Sequence, residues 1–229
     1  STPTGRILRL PKDGSTSTPQ TVATGLGLDA RAELTIVAPD LVFSAYGQGG
    51  GGVLGGVYRC ALTGCGSKPT TLYKKGSVLG ATADSALLTF GLETSPGPGV
   101  LTCPAAGCGD AGPTLVTGTT EAAAQVVTSS AGTFFTTAEG VFQIPPGGGA
   151  VVTVASGLTA LGPLVANADH VYFASTSGSV YGCPTSGGCA SPTLYATGLT
   201  GIAYLTQDAA SLFVTSGSAT TGLVTRIAK

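Results

Sequence analysis

Short apolar runs alternate with Gly, Pro, Asp and Ser punctuation along the whole chain, and the runs recur in groups of four. The clearest pair spans 163–174, where two apolar runs flank Asn167, Ala168 and Asp169, as in a hairpin with a polar turn. Equivalent segments lie at 34–44, 81–90, 126–136 and 202–215, and Asp40, Asp84, Asp169 and Asp208 stand at four of the five turns. No stretch carries a 3.6-residue apolar stripe with helix caps. Residues 122–126 are rich in helix formers, yet they fall where the other copies place a first strand, so they read as strand.

Each hairpin leads into a third run of the form Gly-x-(Val/Ile)-x-x-(Cys/Leu/Ile). Its aligned position is Ile7, Val57, Val100, Val141, Val180 and Val224, at spacings of 50, 43, 41, 39 and 44 residues. A fourth run closed by Gly follows in five copies, at 20–25, 71–76, 114–118, 152–157 and 193–198. Four strands repeating every forty to fifty residues is the signature of a propeller blade. The predicted fold is therefore all-β, a five-bladed β-propeller of four-stranded antiparallel blades, in one domain over 1–229. Residues 1–25 supply closing strands c and d, and the blades cover about 26–76, 77–118, 119–157, 158–198 and 199–229. The last blade is completed by the N-terminal segment, with 7–10 as the outer strand beside 224–227. That leaves a sixth copy of strand c, and self-association through terminal strands is the alternative use for it.

Three copies of the third run carry a cysteine pair: Cys60 with Cys65, Cys103 with Cys108, and Cys183 with Cys189. Zinc would need four ligands to converge, whereas these pairs belong to different blades. Disulfides across each c–d turn fit better, with about 2 kcal/mol from each short loop, and they are expected to brace turns rather than hold the ring together. The sulfur-free copies at 10–15 and 144–149 show that the turn also forms without them. Local pairing implies an oxidising, extracytoplasmic compartment.

Composition narrows the partners. Net charge is −1, with 10 basic and 11 acidic residues, and the densest basic run is Lys74-Lys75, so a nucleic-acid stripe is missing. The best apolar stretch, 151–166, is broken by Thr, Ser, Gly and Pro, short of the roughly 18 apolar residues a spanning helix needs. The chain holds no Met, which reads as a processed or trimmed chain.

Candidate chemistry is sparse. His170, the lone histidine, falls at a turn and reads as a solvated turn residue rather than a general base. No Gly-x-Ser-x-Gly elbow occurs, and the glycine run at 50–55 leads into a strand, not the helix a dinucleotide site needs. The turn aspartates are explained by bonds to local backbone, with no calcium ring. No cofactor and no metal ligand is assigned. Loop length varies most between the second and third strands, at 46–56, 91–99, 138–140, 175–178 and 216–222, which points to a binding face. Candidate ligand residues there are Tyr46, Gln48, Glu93, Glu121 and Glu139, with Asp29, Arg31, Lys74 and Lys75 from the loops between blades.

The phrase from Gly56 and from Gly99, Gly-Val-x-x-Cys-Pro/Ala-x-x-Gly-Cys-Gly, resembles the repeat of secreted bacterial cysteine-pair β-propeller proteins. The resemblance covers nearly the whole chain and implies export, often to the cell surface, without a defined active site to carry over. The chain departs from that pattern in having Phe43, Phe90, Phe135, Phe173 and Phe213 in or near the place of a Trp on the second strand. The expectation is a secreted, non-enzymatic binding or cell-surface assembly module whose loop face takes an unidentified protein or glycan. The alternatives are a propeller hydrolase or lactonase with a central-channel metal, and a structural subunit of a surface layer or filament joined by terminal strand exchange.

Overall fold

A computed structural model describes residues 5–11, 13, 15–26, 33–45, 55–75, 78–83, 86–92, 98–118, 123–158, 161–218 and 221–229. It contains 21 strands among them, and the chain divides into two compact units, 1–118 and 119–229.

The first unit opens with a hairpin of β1 (Gly5–Arg9) and β2 (Gln20–Leu26). Two antiparallel meanders follow. One is β3 (Leu34–Val37), β4 (Asp40–Ala45), β5 (Gly56–Ala61) and β6 (Thr70–Tyr73); the other is β7 (Val78–Ala83), β8 (Leu87–Leu92), β9 (Gly99–Pro104) and β10 (Thr114–Gly118). In the second unit β11 (Gln125–Ser129), β12 (Gly132–Thr136), β13 (Gly140–Ile144) and β14 (Val152–Ser156) form a third meander. The fourth is β15 (Leu161–Ala166), β16 (His170–Ser175), β17 (Val180–Pro184) and β18 (Thr193–Ala196). The fifth, β19 (Tyr204–Gln207), β20 (Ser211–Gly217) and β21 (Gly222–Ala228), has three strands among the described residues, which is consistent with completion by a terminal strand. The fold is an all-β propeller of five blades, as the repeat predicts. The strand expected over 122–126 begins at Gln125, with Ala122 outside the described residues.

Within each unit one second strand is covered on both faces: β4 in the first and β16 in the second are buried at five consecutive positions. Continuous burial requires a sheet stacked on either side, and the cores show it. Val42, Val57 and Leu72 pack with Val78, Leu88 and Phe90 of the next sheet. In the second unit Phe134, Val141 and Val154 pack with Leu164, Val171 and Phe173, and Tyr172 and Val180 pack with Leu205, Leu212 and Val214. Phe43, Phe90, Phe135 and Phe173 are fully buried. Phe213 is not: it is half-buried, and in the fifth sheet Val214 takes the fully buried place.

A bulge fixes the equivalence of the third strands. Registers shift between Val57 and Tyr58, Val141 and Phe142, and Val180 and Tyr181, and opposite Val100 and Leu101. The β1–β2 ladder shifts at the same point, between Ile7 and Leu8. The N-terminal hairpin is thus a c–d pair by geometry as well as by sequence.

Candidate functional site

The sequence-predicted binding residues divide by position. Asp29, Arg31, Tyr46, Gln48, Glu93 and Glu121 lie outside the described residues. Lys74 and Lys75 follow β6 in the first unit and are exposed. Glu139 is exposed between β12 and β13 in the second, where its backbone N–H donates to Thr137 Oγ1 at 3.1 Å.

The hairpin turns are less uniform than their shared Asp suggests. Asp208 behaves as expected, its Oδ1 accepting the N–H groups of Ala210 at 2.8 Å and Ser211 at 2.7 Å, and those backbone bonds lower its pKa. In the fourth sheet, however, Asn167 Oδ1 does this, accepting from Asp169 at 2.9 Å and His170 at 2.8 Å. Asp40 instead faces Arg59, 3.7 Å from its Nε, and Asp84 lies outside the described residues. His170 is not the solvated residue expected from the sequence. Its ring stacks on Tyr172, with centroids 5.7 Å apart, and it is half-buried.

All six cysteines are joined as the local pairs predict, Cys60–Cys65, Cys103–Cys108 and Cys183–Cys189, leaving no thiolate for zinc. Among the described residues no three His, Cys, Asp or Glu gather into a possible metal site. Each disulfide closes its own turn, and each turn also docks on the preceding sheet. The second cysteine donates its backbone N–H to a carbonyl of the last strand of that sheet: Cys65 to Val22 at 2.9 Å, Cys108 to Leu72 at 3.0 Å, and Cys189 to Val154 at 2.8 Å. Registers of the bulged ladders make Val22, Leu72 and Val154 equivalent, each preceding the residue paired with Ile7, Val57 or Val141.

A second bond repeats beside the first. The carbonyl two residues after the first cysteine accepts a side chain from the third strand of the preceding sheet: Arg9 Nη1 to Leu62 O at 3.3 Å, Arg59 Nη2 to Ala105 O, and Gln143 Nε2 to Thr185 O at 3.3 Å. Arg9, Arg59 and Gln143 hold one repeat position, immediately before Leu10, Cys60 and Ile144. A third bond, within the sheet, comes from the same residue's N–H: Leu62 to Pro39 O at 3.1 Å, Ala105 to Ala86 O at 2.8 Å, and Thr185 to Asp169 O at 2.9 Å. The disulfide therefore rigidifies a plug whose backbone groups fit the neighbouring sheet. Only the side-chain donors left a trace in the sequence, and a backbone N–H has no residue signature.

We predict that Gln143→Ala lowers stability by about 1–3 kcal/mol, the cost of leaving buried carbonyls unpaired. Gln143 also donates to Ala131 O at 2.8 Å and is itself buried, so two acceptors are orphaned. Urea unfolding followed by tyrosine fluorescence measures the loss, and a change within a few tenths of a kcal/mol would remove the bond from the account.

The fourth sheet breaks the pattern at this position. Gly182 replaces the Arg or Gln, and a Cβ there would lie 2.7 Å from the Tyr195 ring and 2.9 Å from that of Tyr172. The two rings fill the place of the missing side chain, edge to face at 5.4 Å, and Lys229 Nζ sits 5.2 Å from the Tyr172 centroid. Lys229 also donates to Gln207 Oε1 at 2.7 Å, which accepts from Asn167 Nδ2 at 3.0 Å. Burial, then the neighbouring Tyr195 and Asp169, push the Tyr172 hydroxyl up to about 12. An aromatic and cationic contact thus lies between the fourth and fifth sheets where Arg9, Arg59 and Gln143 supply a donor side chain in the first unit and the third sheet.

Sequence reasoning also missed Glu33. It is 8 % exposed, just before β3, and its Oε2 accepts the backbone N–H of Ala81 in β7 at 2.9 Å. Its own N–H donates to Ser44 Oγ at 3.1 Å, and its carbonyl accepts from Ser44 N at 3.1 Å. Burial raises its carboxyl to about 8, against which the Ala81 bond is a smaller effect. No sequence signal separates Glu33 from a loop carboxylate, since its burial comes from the adjoining sheet.

No protein-family model matches the chain, and no curated protein does. Solved structures do match in fold. The putative TolB of Agrobacterium tumefaciens aligns at a TM-score of 0.60 with 15% identity, over 82% of this chain and 73% of that one. The computationally designed Ika8 protein aligns at 0.56 with 11% identity over 83% of this chain, which spans 56% of the length of the designed one. The N-terminal domain of Nup159 aligns at 0.53 with 7% identity, covering 89% of this chain and 60% of that chain. At such identities the likeness is one of fold alone.

Proposed function

We propose that the protein is a secreted, non-enzymatic β-propeller of a single domain that binds a protein or a glycan at its loop face, as a recognition or cell-surface assembly module. The observation that carries this reading is the plug-and-socket frame of disulfide-closed turns. It holds the sheets rigid and leaves the loops between strands free to differ in length, which is how rigid scaffolds carry variable recognition loops. Three disulfides in 229 residues fit an oxidising compartment outside the cytoplasm. Among the described residues, no helix is long and apolar enough to cross a membrane.

A glycan array and a pull-down with the purified protein test the reading. We expect a saturable ligand whose affinity falls about tenfold in the Lys74→Ala/Lys75→Ala variant or in Glu139→Ala, the scale of a modest interface hot spot. Binding unaffected by both variants removes these residues from the site. Stoichiometric bound metal together with turnover of an ester or lactone would replace the binding role by the enzymatic one.

An assembly role has its own support in the fifth sheet. Among the described residues β21 pairs only with β20, and Leu223 and Val224 on it are 64% and 73% exposed. Such an edge is open to strand addition. A sedimentation series over a wide concentration range decides this reading: a monomer throughout excludes it.

A further inference from the structure

The three cysteine turns dock alike, but they dock on unlike partners. The Cys103–Cys108 turn sits on β6 and the Cys183–Cys189 turn on β14, each the last strand of a four-stranded sheet. The Cys60–Cys65 turn sits on β2, and among the described residues β2 belongs to a sheet of two strands. An isolated two-stranded hairpin is marginally stable in water. Its order depends on whatever holds it down.

What holds it converges on one loop. Cys65 N–H donates to Val22 O at 2.9 Å, Thr24 N–H donates to Gly66 O at 2.8 Å, and Arg9 Nη1 donates to Leu62 O at 3.3 Å. Ala23 and Gly66 form a parallel bridge at the same place. Cys60 is buried in the core that Ile7, Val22 and Ala23 share with Leu41 and Phe43. Leu62 and Cys65 lie within the loop that the disulfide closes, and Gly66 follows it directly. The Cys60–Cys65 bond fixes the geometry in which these groups meet the hairpin.

We propose that the Cys60–Cys65 turn is a thiol-sensitive latch for the β1–β2 hairpin. Cys65 and Cys189 are half-buried while both Cys103 and Cys108 are buried, so a small thiol reaches the first and third pairs before the second. A reductant thiolate attacks Cys65 Sγ, forming a mixed disulfide and expelling the Cys60 thiolate, which takes up a proton. A second reductant thiol then displaces Cys65, so that one protein disulfide and two thiols become two protein thiols and one oxidised reductant. With the loop opened, the carbonyls and N–H groups of residues 62–66 lose their common geometry and the hairpin leaves its dock.

The test is graded reduction of the oxidised full-length chain with dithiothreitol. Thiol alkylation reports which pair has opened, and hydrogen–deuterium exchange is read on peptides covering β1–β2 and β7–β10, a sheet on which none of the three cysteine turns docks. Once Cys60 and Cys65 are alkylated, we expect exchange in β1–β2 to rise about tenfold or more, with β7–β10 within about twofold of its oxidised rate, as for a local opening. The double variant Cys60→Ser/Cys65→Ser should show the same pattern without reductant, and Cys103→Ser/Cys108→Ser should not. Unchanged hairpin protection with the first pair open overturns the latch. So does a rise shared by β7–β10, or an equal release in the Cys103→Ser/Cys108→Ser variant, because the opening would then be global.

Discussion

Glu33→Gln is expected to stabilise the protein at pH 8 by several kcal/mol while changing little at pH 4. The folded carboxyl has its pKa raised from 4.5 to about 8, chiefly by burial. Between these values the unfolded chain has released the proton and the folded chain still holds it. The folded state therefore loses stability as pH rises through this window, at about 1.4 kcal/mol per unit, and the loss levels off above the folded pKa. Below pH 4.5 both states are protonated and no difference accrues. An amide at this position stays neutral at every pH and keeps an oxygen for the Ala81 N–H. Urea unfolding of both proteins from pH 4 to 9 measures the difference. A gap that is the same at all pH values would mean that Glu33 ionises in the folded state as it does in water.

The second large effect separates two phenylalanines that look equivalent in the sequence. Phe173→Ala should cost about 3–5 kcal/mol, the usual range for emptying a fully buried aromatic site. Phe213→Ala should cost much less, since its ring is only half-buried and Val214 fills the corresponding core position. The ladder registers account for the difference. Phe43, Phe135 and Phe173 pair with Tyr58, Phe142 and Tyr181, the residues just after the aligned valine, whereas Val214 pairs with Thr225 and Phe213 with Arg226. Thermal unfolding of both variants shows the contrast directly, and equal losses would contradict the register.

The sequence carried the strand order, the hairpins and the cysteine pairing because each has a local cause. Alternating apolar runs make strands, Asp and Asn make turns, and cysteines at the two ends of a short turn are placed to close it. What it did not carry depends on the adjoining sheet. Phe213 sits one residue out of step with Phe173, and nothing beside it announces the slip. Gly182 reads as a plain loss of the Arg59 or Gln143 side chain until Tyr172 and Tyr195 are seen in its space. Glu33 looks in the sequence like any exposed loop residue, such as Lys74 or Lys75, since burial by a neighbour leaves no periodic mark. The proposed binding face has no mark in the sequence beyond variation in loop length, and that variation does not say what is recognised.

The docking of the cysteine turns runs in one direction only. Cys65 reaches back to Val22, Cys108 to Leu72 and Cys189 to Val154, so every socket lies one repeat earlier in the chain than its plug. For a polypeptide emerging N-terminus first from a ribosome or a translocation pore, the receiving strand is already outside when its turn arrives. Each new repeat can then dock on strands that preceded it without waiting for the rest of the protein, so the turns can close in the order of synthesis.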